Sequence, residues 1–212
     1  MIKNLIISGG SIRGFIFIGA IKYFEEINIL ENIQTFTGTS IGACLSLCLN
    51  LNFTSKELID IFVNVNIDTS QNINIDTIFN FFEEYGLDNG EKIINIFKIL
   101  INKKLQKLNS VYNENITFIE LFNLTNKKLT MIGCCLNNME AIYYDYISTP
   151  NFKIIDALRI SFSIPFIFKP IKIDNKFYVD GAIINNYPIE LYDIDNTIGL
   201  VTTNIDIDNN EE

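Results

Sequence analysis

Apolar stretches along the chain alternate between strand-like runs and helix-like periodicity. Residues 2–7 form a short continuous apolar run of the kind that buried strands show, and residues 15–27 follow with helical spacing. Residues 33–37 are again short and rich in β-formers, whereas residues 41–51 are apolar around the whole helical circumference, which is typical of a helix inside a core. The alternation of strand and helix predicts an α/β domain.

Two capping boxes locate helices further along the chain. Thr54 with Glu57, and Thr117 with Glu120, each precede an amphipathic run. Between these boxes the spacing predicts two more helices, which we expect to form a cap over the sheet. The cap helices are predicted at residues 75–85 and 91–108, and the later strands at residues 129–136, 141–146, 171–179 and 197–203.

The sequence G-T-S-I-G stands between a predicted strand and a predicted helix, at residues 38–42. Gly38 and Gly42 remove the Cβ atoms that would clash in so sharp a bend, and the turn predicts an exposed Ser40 placed as a nucleophile. The alternative is a simple glycine turn. Because the chain contains no histidine, the usual imidazole base is absent. Either Ser40 is inert or a carboxylate is its base.

A glycine loop follows the first predicted strand, where residues 8–14 read S-G-G-S-I-R-G. The N–H groups of Gly9, Gly10 and Ser11 are candidates for an oxyanion hole, since consecutive backbone donors between a strand and a helix can converge on an anion. A dinucleotide site is the competing interpretation, but its G-x-G-x-x-G order is absent. Arg13 is a candidate contact for a substrate phosphate, or it fixes the loop by bonding carbonyl groups.

Asp180-Gly181 ends an apolar strand near the other end of the chain. Read alone, this dipeptide indicates a turn. The glycine loop, the serine elbow and the late Asp-Gly together resemble the patatin-like phospholipases, a family with a Ser–Asp dyad. The resemblance covers roughly residues 1–203, although Ser11 stands where the family's G-G-G-x-[RK]-G loop has its third glycine. Residues 68–115 match nothing in the family pattern.

The resemblance implies a three-layer α/β/α sandwich with a mostly parallel central sheet. It also implies a lipid acyl hydrolase of the phospholipase A or lysophospholipase type, in which Ser40 and Asp180 form the catalytic dyad without a metal or other cofactor. An Asp has a reference pKa near 3.9, so such a base must be desolvated or hydrogen-bonded to the serine. Two alternatives remain open: a non-catalytic lipid- or partner-binding module, or an esterase for neutral glycerides or thioesters.

Composition narrows the expected partners. A formal net charge of −9 argues against nucleic acid and predicts repulsion from an anionic bilayer, so contact with a membrane surface has to rely on apolar insertion. The sequence shows no membrane-spanning run and no signal-type leader, which predicts a soluble cytoplasmic or peripherally membrane-associated protein. One domain at residues 1–203 and an acidic tail at 204–212 are expected. The candidate insertion residues are Phe79, Phe81, Phe82 and residues 166–168.

Overall fold

The computed structural model describes residues 1–64, 86–108 and 110–203. The cap helix predicted at residues 75–85, Phe79, Phe81, Phe82 and the tail at 204–212 lie outside these ranges. The helices are α1 (Ile16–Glu26), α2 (Ile41–Asn50), α3 (Ser55–Asn64), α4 (Glu91–Lys107), α5 (Phe118–Thr125) and α6 (Ile154–Ser161). The strands are β1 (Asn4–Ile7), β2 (Thr35–Thr39), β3 (Gly86–Asp88), β4 (Lys128–Cys135), β5 (Glu140–Tyr144), β6 (Phe166–Phe168), β7 (Ile171–Ile173), β8 (Lys176–Asp180) and β9 (Thr197–Leu200).

Seven of these strands form one sheet with a parallel centre. Strands β9, β1, β2 and β4 are parallel neighbours in that order. Strands β5 and β8 both pair antiparallel with β4, and β7 pairs antiparallel with β8. Strands β3 and β6 form a separate two-stranded sheet. The carboxyl ends of β1 and β2 therefore lie at the same edge, which is where open α/β sheets place their binding sites.

Helices cover both faces of the sheet. Leu5, Ile6 and Ile7 are consecutive in β1 and all fully buried; because successive strand residues point to opposite faces, neither face is open to solvent there. Helix α2 is buried from Gly42 to Asn50, as its apolar circumference predicted. The result is the expected three-layer α/β/α sandwich.

Both predicted capping boxes are confirmed. Thr54 N–H donates to Glu57 Oε2 at 2.9 Å, and Glu57 N–H donates back to Thr54 Oγ1 at 3.1 Å. Thr117 and Glu120 make the same reciprocal pair at the start of α5. Each box satisfies two backbone donors that a helix start leaves without partners.

The second predicted cap helix is present as α4. It buries Phe97, Ile101 and Leu105, contacts α6, and is tied to α3 by an ion pair between Lys104 Nζ and Glu57 Oε2 at 2.7 Å. Within residues 1–64, 86–108 and 110–203, none of the helices combines the length and apolarity needed to span a bilayer.

Candidate active site

Strands β2 and β8 meet end to end beside β4. Strand β4 pairs with β2 as far as Ile132, which opposes Thr39, and with β8 from Gly133 onward, which opposes Asp180. Strand β5 pairs with β4 over both stretches and so occupies the opposite edge. Because β2 and β8 run in opposite directions along one edge of β4, their carboxyl ends face each other. This topology brings Ser40 and Asp180 together.

Ser40 occupies a strained elbow between β2 and α2. Its backbone has φ 57° and ψ −125°, a conformation that costs a non-glycine residue about 1–3 kcal/mol. A Cβ on Gly38 would lie 2.1 Å from Gly42 O, and a Cβ on Gly42 would lie 2.0 Å from Ile7 O. Both elbow glycines are therefore required by close backbone contact, as the G-x-S-x-G spacing predicted.

Ser40 is less exposed than the elbow predicted. Its exposed fraction is 4%, because the glycine loop packs against it: a Cβ on Gly9 would lie 3.2 Å from Ser40 Cβ. Ser161, which is fully buried at the end of α6, links the elbow to β4. Its hydroxyl accepts from Ser40 N–H at 3.0 Å and donates to Ile132 C=O at 2.7 Å.

Asp180 is a buried carboxylate with an unusually high pKa. Its exposed fraction is 2%, and within the described residues no lysine or arginine forms an ion pair with it. Burial raises the pKa of Asp180 to about 6, although the Ser40 hydroxyl and the Ala182 N–H, which donates to Oδ1 at 2.9 Å, act in the lowering direction. A carboxylate in this state accepts a proton more readily near neutral pH than an exposed one.

The glycine loop adjoins Ser40, but its three N–H groups differ. Gly9 N–H donates to Asn186 Oδ1 at 2.9 Å. The N–H groups of Gly10 and Ser11 have no hydrogen-bond acceptor in the part of the chain that the structure describes. Ser11 has φ 51°, a left-handed conformation that glycine adopts without steric cost. This conformation explains why the family pattern has glycine at that position.

Arg13 and two of the candidate insertion residues at 166–168 lie on the surface. Arg13 is exposed in a 3₁₀ helix, Ser11–Phe15, which precedes α1. Phe166 and Ile167 are 69% and 47% exposed, whereas Phe168 is buried. Two of the three residues are thus exposed, and the third packs in the core.

Ser163 and Arg159 support Asp180 in a way that no sequence motif signalled. Asp180 N–H donates to Ser163 C=O at 2.9 Å. The Ser163 hydroxyl accepts from the buried guanidinium of Arg159, which also donates to Asn89 C=O at 2.9 Å. Arg159 and Ser163 are only four positions apart, but Asn89 is 70 positions from Arg159, so this link is seen only in the folded chain.

The chain belongs to the patatin-like phospholipase family, since the family model Patatin-like phospholipase matches residues 5–193. Among curated proteins, Probable lipid hydrolase 463L of Invertebrate iridescent virus 6 is 34% identical over 193 residues, covering 89% of this chain and 62% of that protein. An uncharacterised protein of Acanthamoeba polyphaga mimivirus is 30% identical over 206 residues, covering 96% of this chain and 66% of that protein. The chain thus spans slightly less than two thirds of the length of these relatives.

Two solved structures share the fold. VipD from Legionella pneumophila superposes with a TM-score of 0.66 at 18% identity, covering 93% of this chain and 49% of VipD. The type III effector protein ExoU superposes with a TM-score of 0.53 at 16% identity, covering 76% of this chain and 40% of ExoU. The predicted fold class and family are confirmed.

Proposed function

We propose that this chain is a lipid acyl hydrolase that cleaves carboxylic esters of phospholipids or lysophospholipids through an acyl-enzyme on Ser40. The observation that carries the proposal is the end-to-end meeting of β2 and β8, which sets a strained serine elbow against a buried carboxylate. Family membership and the viral relative named as a probable lipid hydrolase support the lipid ester as substrate.

The proposed reaction uses Asp180 as general base and then as general acid. The Asp180 carboxylate takes the proton of Ser40 while the serine oxygen attacks the ester carbonyl carbon, and the pKa of about 6 suits this transfer near neutral pH. Collapse of the tetrahedral intermediate breaks the bond to the alcohol, which leaves with the proton from Asp180. Water, deprotonated by the same carboxylate, then attacks the acyl carbon, and the fatty acid is released as Asp180 returns that proton to the departing Ser40 oxygen.

The oxyanion of that intermediate needs hydrogen-bond donors. We assign this role to the N–H groups of Gly10 and Ser11, which have no acceptor within the described residues, rather than to Gly9, whose N–H is bound to Asn186. Arg13 belongs to the proposal as a contact for a lipid phosphate, because a guanidinium matches a phosphate as a planar fork. Exposed Phe166 and Ile167 are proposed to touch the lipid surface.

A fluorophosphonate probe tests the proposal directly. Such a probe modifies an activated serine, so mass spectrometry of the treated protein is expected to locate the adduct on Ser40. The Ser148→Ala variant, which removes an exposed serine, serves as the matched control and keeps full labelling. Intact, folded protein that is not labelled, and that releases no fatty acid from phospholipid or lysophospholipid, would favour the non-catalytic module instead.

A panel of substrates separates the remaining esterase alternatives. Phosphatidylcholine, lysophosphatidylcholine, a triacylglycerol and an acyl thioester are compared by kcat/KM at equal chain length. The proposal expects the two phospholipids to rank first. A preference for the neutral glyceride or the thioester would keep the Ser40 and Asp180 chemistry but reject the substrate class.

A further inference from the structure

Asn186 joins the loop that follows Asp180 to the glycine loop. Its side-chain Oδ1 accepts from Gly9 N–H at 2.9 Å, and its Nδ2 lies 3.4 Å from Gly9 C=O, to which it donates. A primary amide carries one acceptor and two donors on one rigid plane, so it can bind the N–H and C=O of a single residue at once. The side chain of Asn186 therefore bonds to both backbone polar groups of Gly9.

Neighbouring groups reinforce the same orientation of Gly9. Its C=O also accepts from the Ser8 hydroxyl at 3.1 Å and from the Thr202 hydroxyl at 3.3 Å. A Cβ on Gly9 would lie 2.5 Å from Asn186 Oδ1, so this bond geometry requires glycine. Because the Gly9 C=O and the Gly10 N–H belong to one planar peptide group, the three side chains that bind the carbonyl also set the direction of the Gly10 N–H.

We infer that Asn186 is a positioning residue that aims the N–H group of Gly10 at the oxyanion. The inference rests on the proposed function, because it assigns Asn186 a role in that same reaction. The glycine loop directly follows β1, and nothing in its own sequence links it to the base. Asn186 supplies that link, since it belongs to the loop that follows Asp180. Asn186 thereby couples the position of the oxyanion donor to that of the base.

The two hydrogen bonds between Asn186 and Gly9 predict which substitutions would break the link. Asn186→Ala removes both bonds to Gly9. Asn186→Asp keeps the shape and an acceptor for Gly9 N–H, but it places a second carboxylate oxygen against Gly9 C=O and adds a negative charge beside the proposed oxyanion. Both changes weaken stabilisation of the transition state, while the contacts that bind the rest of the substrate stay in place.

The experiment compares Asn186→Ala and Asn186→Asp with Asn185→Ala in the full chain. Asn185 is the matched control because its side-chain amide donates to Tyr143 Oη at 3.1 Å and to Glu190, and makes no bond to the glycine loop. Hydrolysis of a soluble short-chain ester is measured over a range of pH. We expect kcat to fall between about 10- and 100-fold in both Asn186 variants, with KM within about twofold of wild type.

The pH midpoint of kcat should stay unchanged in Asn186→Ala, because that change leaves Asp180 intact. Asn186→Asp preserves side-chain volume and provides a folded variant if Asn186→Ala loses its thermal transition. Wild-type kcat in both variants, or a rise in KM with kcat unchanged, would overturn the positioning role. Wild-type protein that neither hydrolyses the ester nor takes the fluorophosphonate probe on Ser40 would instead overturn the proposed function, and this inference with it.

Discussion

Two carboxylates in this protein are held in opposite ways. Asp180 lies buried at the candidate site without a cationic partner in the described part of the chain, and burial raises its pKa to about 6. Burial would also raise the pKa of Glu57, at the start of α3, but bonds from Lys104, the Thr54 N–H and Lys107 outweigh it and lower the pKa to about 2. The same chemical group is thus a ready proton acceptor in one region and a fixed anion in the other.

The difference extends to the surrounding backbone. At the Glu57 region the capping box and the two lysines satisfy every oxygen of the carboxylate. At the site, by contrast, Ser40 and Ser11 both hold left-handed φ values, and the charge on Asp180 is poorly stabilised. In a region that contributes stability, backbone conformations are relaxed and charges are paired. The proposed reaction needs a region with a strained backbone and an unpaired carboxylate.

The largest expected effect comes from removing either member of the proposed dyad. Ser40→Ala and Asp180→Asn should each lower kcat/KM by at least about 10³, and the double variant should be scarcely worse, because the two side chains act as one unit. Asp174→Asn, which changes an exposed aspartate in the β7–β8 turn, is the control and should keep full activity. Near-normal turnover in Asp180→Asn would contradict the assignment of the base.

Asp180→Asn should also stabilise the fold, by up to about 3 kcal/mol at pH 7. The folded pKa of about 6 exceeds the ordinary value of 3.8, so wild-type stability falls as pH rises between these values, and each unit of difference corresponds to about 1.4 kcal/mol. Asparagine carries no such charge. Denaturant unfolding at pH 7 and pH 4 measures the gain, which should be nearly absent at pH 4; a gain equal at both pH values would contradict the pKa of Asp180.

The sequence predicted the local parts of this contrast better than the long-range parts. The elbow glycines and the Thr54–Glu57 box depend on residues a few positions apart, and both are found as expected. The link between Asn186 and Gly9 spans 177 positions and leaves no local pattern. Likewise, the proposed chemistry requires Asp180 to be desolvated or hydrogen-bonded to the serine, but its burial is seen only in the packing of β8 on β4.

Glu57→Gln should lower the free energy of unfolding, whereas Asp180→Asn should raise it. A lowered pKa in the folded state adds stability above the ordinary value of 4.5, and this is lost as pH falls towards 2. Because the ion pair between Glu57 and Lys104 is partly solvent-exposed, we expect the free energy of unfolding to fall by only about 1 kcal/mol at pH 7. Unfolding of Glu57→Gln is compared with Glu31→Gln, an exposed control. Equal free energies of unfolding for the two variants would mean that the Glu57 carboxylate does not stabilise the fold, and the contrast with Asp180 would fail.

The smallest expected effect is a gain of up to about 1 kcal/mol from Ser11→Gly. A left-handed φ costs a residue with a Cβ roughly 1–2 kcal/mol, and the greater freedom of glycine in the unfolded chain offsets part of the relief. Asn28→Gly is the matched control, since Asn28 has φ 58° but asparagine tolerates this region better than serine. Denaturant unfolding should therefore give Ser11→Gly the larger gain. If both variants gain equally, or Ser11→Gly is destabilised, then the glycine loop holds no strain at Ser11, and the contrast with the Glu57 region is confined to Ser40 and Asp180.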